Sequence, residues 1–384
     1  MESPMLTHAE TSYLKYYIDV VAPMFDLFDP ARTFAEVIPH LAMRNVGMLR
    51  SVLAVSARFQ SLHMPTSSII DGQSTTMDTT SEFLPHTHDF MSTQFYFETL
   101  SYLSQAMLYP SYTRSREILA TAALISAYEY FDINKSRDWE RHLKGVFWIQ
   151  RSQETNGERD GVAGAIWWAW LRQDIWAALL QKRKPLTIWE PTKSLSTLSD
   201  HEFASRATFL LARAVKYAMQ ATGESVDIQQ RLAESDRHLR ELQEWYERLR
   251  PSYRPLSTTA LADSGTFPPV WIHPPFHAAA IQHHYSAKIL ILLHRPSTGG
   301  PTVYHDSQKL LSESIAMVCG LAQSPTALEF PSAMVHLQAL YVASQAVQAT
   351  EQRFALHKIL GQILDKTKFP TKSLSNDLGR LWSP

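Results

Sequence analysis

The sequence is poor in cysteine, glycine, net charge and long apolar runs, and each shortage removes a class of protein. Cys319 is the single cysteine in 384 residues. One thiol can build neither a disulfide framework nor a cysteine-based zinc site, which fits a reducing, intracellular compartment. Glycine numbers 13, about half the usual share of roughly 7%. Folds with many tight turns and phosphate-cradling loops both depend on glycine, so both are disfavoured. Lys and Arg total 36 against 37 Asp and Glu, a formal charge of -1. A neutral chain has no global field to draw in nucleic acid. The start, Met-Glu-Ser-Pro-Met, has neither the basic region nor the apolar core of a secretory signal. The most apolar run, Ala163 to Leu171, is cut by Arg172, Gln173 and Asp174, too short to span a bilayer. The expectation is a soluble chain with no membrane partner.

Hydrophobic residues make up 45% and charged residues 19%, the composition of a well-buried globular protein. Their spacing is helical. Leu41 to Phe59 carries apolar side chains at 41, 42, 46, 49, 52, 53 and 57. Helices are predicted over 90–108, 115–131, 138–151 and 162–184. Ser199 with Glu202 forms a capping-box signature ahead of the stripe Phe203, Ala207, Leu210, Ala214 and Ala218, with Gly223 as a stop. The series Ile228, Leu232, Ser235, Leu239, Leu242, Tyr246, Leu249 predicts an amphipathic helix ended by Pro251. Further helices are predicted over 276–294, 306–323 and 331–364. The stretch 65–88 is rich in Ser, Thr, Asp and His and reads as a mobile loop. No segment alternates with β-branched enrichment. The expected fold class is all-α, a single multi-helix domain over 1–384 with irregular loops and no sheet of consequence.

Seven of the ten tryptophans lie between 139 and 189. They either wall an aromatic pocket or fill a wide helical core. Trp168 and Arg172 are four apart and share a helix face. Arg172 could meet an acidic ligand, or pair with Asp174 or Glu129 in a buried structural contact. His142 shares a face with Trp139. It is either a satisfied core histidine or, in an enzyme, a general base. His273, His277, His283 and His284 fail as a metal set, because prolines separate the first two and the last two diverge by about 100° on a helix. Dinucleotide, Walker, nucleophile-elbow and HExxH patterns do not occur, so no metal and no cofactor is expected. Lys182, Arg183 and Lys184 suit a helix C-terminus before Pro185, or a short nuclear localisation run.

Several of these features occur in a familiar order. A tyrosine-rich start is followed by the helix Arg44 to Phe59 and the helix Leu119 to Glu129. Next come Trp139, His142 and Gly145, then Trp168, Arg172 and Asp174, and late on His277, Ala280 and Tyr285. This order resembles the fungal-specific transcription factor domain, the regulatory domain of zinc-cluster transcription factors, over about residues 11–364. The resemblance implies an all-helical regulatory domain acting in the nucleus, and also in the cytoplasm. It implies control of fungal gene expression, including that of a metabolite pathway such as secondary metabolism. Family members usually place a six-cysteine zinc cluster ahead of this domain; with one cysteine, the zinc cluster is absent here. No direct sequence-specific DNA binding is therefore expected from this chain, and its partners would be other transcription factors or a second copy. Sterol-responsive members look to bind a hydrophobic ligand in a helical pocket, which implies small-molecule sensing through Trp139, His142, Trp168, Arg172 and Trp176. The rival reading is an enzyme that isomerises or cyclises a hydrophobic metabolite, with His142, Arg172, Asp174 and His277 as its polar groups.

Overall fold

In a computed structural model of the chain, the residues described are 5–63, 85–132, 140–220, 227–256, 265–329 and 331–369. Every regular element among them is helical and none is a strand. None of the described helices is long and apolar enough to cross a membrane. The chain forms two compact units. One comprises Met1–Ala22, Thr33–Gln153 and Lys368–Pro370; the other comprises Pro23–Arg32, Glu154–Thr367 and Thr371–Pro384.

The first unit contains helices α1 (His8–Tyr16), α2 (Val46–His63), α3 (Pro85–Ala106), α4 (Arg116–Phe131) and α5 (Glu140–Ser152). Its centre is α2, which packs against α1, α3 and α4. Nearly every side chain from Gly47 to Phe59 is buried, because this stretch of Leu, Val, Ala and Ser carries no acidic residue. The serines turn their hydroxyls onto carbonyls, Ser51 to Met48 at 2.7 Å and Ser56 to Tyr13 at 2.6 Å, so their burial leaves no unmade bond. Arg58 is the buried cation of this helix. It pairs with Asp89 at 2.8 Å and Asp132 at 2.7 Å. Ser115 caps α4, accepting from the Ile118 N–H at 3.2 Å.

The structure corrects some boundaries. The expected loop 65–88 lies outside the described residues as far as 84, but its last residues open α3. Proline suits a first helical turn, and His88 Nδ1 meets the Tyr13 hydroxyl at 2.9 Å. Gly223 also lies outside the described residues. Single π-type turns at Tyr17–Val21 and Thr33–Val37 had no signal in the sequence.

The second unit contains α6 (Gly161–Gln181), α7 (Asp200–Gln220), α8 (Ile228–Glu247), α9 (Pro275–His294), α10 (Gly300–Leu321), α11 (Ala333–Ser344) and α12 (Thr350–Thr367). Here α9 is central, packed against α7, α8, α10 and α11. Its polar residues act as ties. Gln282 donates to the Val318 carbonyl at 3.0 Å and meets His336 Nδ1 at 2.7 Å, while His283 Nδ1 meets the Thr208 hydroxyl at 3.0 Å. The helix predicted over 331–364 is two helices. Arg353 reaches back to donate to the Val347 carbonyl at 3.1 Å in the turn between them. The buried face of α8 is Arg231, Ser235, His238, Leu242 and Trp245, while Ile228 and Tyr246 are exposed. The apolar stripe thus caught part of the face, with Ser235 and Leu242 buried, but missed Arg231, which is buried over the Tyr217 ring, 3.5 Å from its centre.

Candidate functional site

A cavity of about 410 Å3 lies within the second unit. Its first wall is one face of α6. Residues 161, 164, 165, 168 and 172 recur at three and four, so the face repeats with the helix. The entry to α6 is a tight loop, in which the Glu158 N–H donates to the Asn156 side chain at 2.9 Å and the Arg159 N–H to the Asn156 carbonyl at 3.2 Å. Gly164 permits that loop to close. A Cβ there would sit 1.8 Å from the Arg159 carbonyl oxygen. Trp168 lines the cavity one turn on, and its indole N–H donates to the Gly157 carbonyl at 3.0 Å. Behind it, the rings of Trp167 and Trp168 lie 4.8 and 6.0 Å from that of Trp189, centre to centre.

The second wall is the segment Phe25 to Ala31. Arg172 joins it to α6, donating to the Phe25 carbonyl at 2.5 Å with its guanidinium 5.5 Å from the centre of the Phe28 ring. Burial draws the Arg172 pKa down to about 10, against the pull of Asp26 and Asp29. It stays cationic at neutral pH.

The third wall is the start of α7. Ser199 and Glu202 form the reciprocal capping box that their spacing predicts, with the Ser199 N–H on Glu202 at 2.8 Å and the Glu202 N–H on the Ser199 hydroxyl at 3.3 Å. Lys193, at 2.6 Å, holds the Glu202 carboxyl down near a pKa of about 2, assisted by Ser199. Burial pushes Glu158 up, but donation from the Lys193 and Thr192 N–H groups, both at 2.8 Å, holds it below its ordinary value. Burial lowers the His201 pKa, and the ring stacks on Phe276 at 4.3 Å. The cavity therefore offers aromatic faces, the guanidinium groups of Arg159 and Arg172, a neutral imidazole and the acidic side chains of Asp29, Glu158, Asp160 and Glu202, of which Asp29, Glu158 and Glu202 are occupied by backbone donors.

Of the residues singled out from the sequence, Trp168 and Arg172 line this cavity. Trp176 is fully buried, its ring edge-on to Tyr341 at 5.3 Å. Asp174 accepts from the Leu186 N–H at 2.6 Å and pairs with Arg183 at 2.8 Å, so part of the basic run 182–184 secures the exit of α6. His277 Nε2 meets Asp200 at 2.9 Å, and its ring stacks on Tyr253 at 3.8 Å. In the first unit, His142 Nδ1 meets Glu129 at 2.5 Å, and Glu129 also accepts from the Tyr96 hydroxyl at 2.7 Å. Trp139 lies outside the described residues. Sequence reasoning missed His201, Phe28 and Ser205. The Gly161–Gly164 pair beside a tryptophan cluster was the available sign of a close approach.

Comparison with known proteins adds one result. No curated protein and no solved structure matches the chain. The motifs at 168–174 and 277–285 lie outside the stretch that does find a family: residues 12–158 match the family model described as the fungal specific transcription factor domain.

Proposed function

We propose that this chain regulates transcription in a fungus, and that the cavity lined by Trp168 and Arg172 receives a small-molecule effector. The match of residues 12–158 to a transcription factor domain carries the regulator reading. The cavity supports the effector reading. Its volume of about 410 Å3 falls in the range of about 300–1,000 Å3 usual for small-molecule sites. A ligand suited to it is amphiphilic. A flat apolar body would lie on Trp168 and Phe28, and an acceptor would face the guanidinium of Arg172. With a charge of -1 and one cysteine, contact with DNA would pass through another factor or a second copy of the chain, in the nucleus. Of the four polar groups of the enzyme reading, Arg172 lines this cavity, while Asp174 pairs with Arg183 and His277 meets Asp200.

The test is deletion of the gene, followed by transcript and metabolite profiling of the same cultures. Coordinated change in a gene set supports the proposal. Steady transcripts with accumulation of one precursor overturn it in favour of an enzyme. For the effector, a Trp168→Ala strain should show the same transcript response as the deletion while the protein remains at normal abundance. An unaltered response would remove the cavity from the mechanism.

A further inference from the structure

The second unit holds another cavity, of about 280 Å3, bounded by the end of α9, the first turns of α10 and the turn between α11 and α12. Its charge is one-sided. Arg295 and Arg353 line it, and none of its other lining residues is Asp, Glu, Lys or His. Arg295 is held in place by Asp236, at 2.8 Å, which lies outside the lining. Arg353 spends its Nε–H on the Val347 carbonyl at 3.1 Å. Among the described residues no carboxylate pairs with it, so both terminal nitrogens of its fork remain available.

The uncharged polar lining is donor-rich, with the hydroxyls of Ser297, Thr298 and Ser307 and the amide of Gln308. Leu292, Val303 and Leu311 supply an apolar floor.

A cavity lined by Arg295, which already answers Asp236, by Arg353, which has no carboxylate partner among the described residues, and by several hydroxyls suits a compact anion. Arginine forks bind the oxygens of phosphate bidentately. We infer that this cavity binds a phosphoryl dianion, as the free ion or as the monoester of a small metabolite whose carbon skeleton rests on the apolar floor. The site is separate from the Trp168 cavity and does not depend on the effector reading.

The test is calorimetric titration of the full chain with glucose 6-phosphate, inorganic phosphate and glucose, at low and high salt. Binding of either phosphoryl probe, weakening with salt, with none of glucose, is the expected result. Tighter binding of glucose 6-phosphate identifies the monoester; equal binding identifies the free ion. Arg353→Gln should abolish binding. Because Arg353 also supports a turn, Gln308→Glu provides a second variant that places an anion in the lining and should weaken binding at least tenfold. Absence of binding by the parent chain at millimolar phosphate overturns the inference. So does binding that survives both substitutions.

Discussion

At the centre of the first unit, α2 carries a guanidinium matched by the carboxylates of Asp89 and Asp132. At the centre of the second, α9 carries histidines that burial keeps neutral. The pKa of His283 and of His284 is drawn down to about 3, and that of their neighbour His336 to about 4. Arg58 of α2 is satisfied by opposite charges, whereas His283 and His284 of α9 are accommodated by withholding charge. An ion pair survives mild acid and fails when one partner is removed. A neutral buried histidine tolerates neutral pH and fails when the solution offers it a proton.

Acid should therefore separate the units. The folded pKa of these histidines lies below their ordinary 6.5, so the unfolded chain binds more protons between the two values. Stability is complete above pH 6.5 and falls as pH drops toward 4. By pH 5 the loss is about 2 kcal/mol for each histidine. Urea unfolding at pH 7.5 and pH 5, followed by hydrogen exchange, should show α9 losing protection well before α2. Equal loss in both helices would break the comparison.

The matching blow to the first unit is Arg58→Ala, which removes the cation from beside Asp89 and Asp132. It should lower stability by about 3 kcal/mol, at pH 7.5 as well as at pH 5, read from the urea midpoint. Gly164→Ala comes next. Its Cβ would meet the Arg159 carbonyl, and the forced opening of the loop should cost about 2 kcal/mol in the second unit alone. Trp168→Phe keeps an aromatic ring but removes the fused pyrrole, and with it the bond to the Gly157 carbonyl. It should cost about 1 kcal/mol; a melting temperature unchanged from the parent would show that the loop is held by packing only.

Much of the local structure was legible in the sequence. The helical spacing carried the fold class, Ser115 and Ser199 marked helix starts, and the cations at 182–184 marked the exit of α6. Legibility failed wherever a distant partner decided the outcome. The buried side of α8 includes Arg231 and His238, and both lie against the facing Tyr217 ring. The break between α11 and α12 has no proline or glycine to announce it. Trp168 and Arg172 could be placed on one helix face, but the segment Phe25 to Ala31 lies nearly 150 positions away. Periodicity holds no information about which surface a face will meet. The match to residues 12–158 is likewise narrower than the resemblance over 11–364.

The packing of Trp167, Trp168 and Trp189 gives the cavity an optical signature of its own. Indoles held edge-to-face within 4.8 to 6.0 Å couple their excited states, and one of the three forms part of the wall. Anything entering beside Trp168 displaces water from that ring and shifts the emission and near-ultraviolet dichroism of the whole group. Candidate effectors can thus be screened on the unlabelled protein, with the chain as its own reporter.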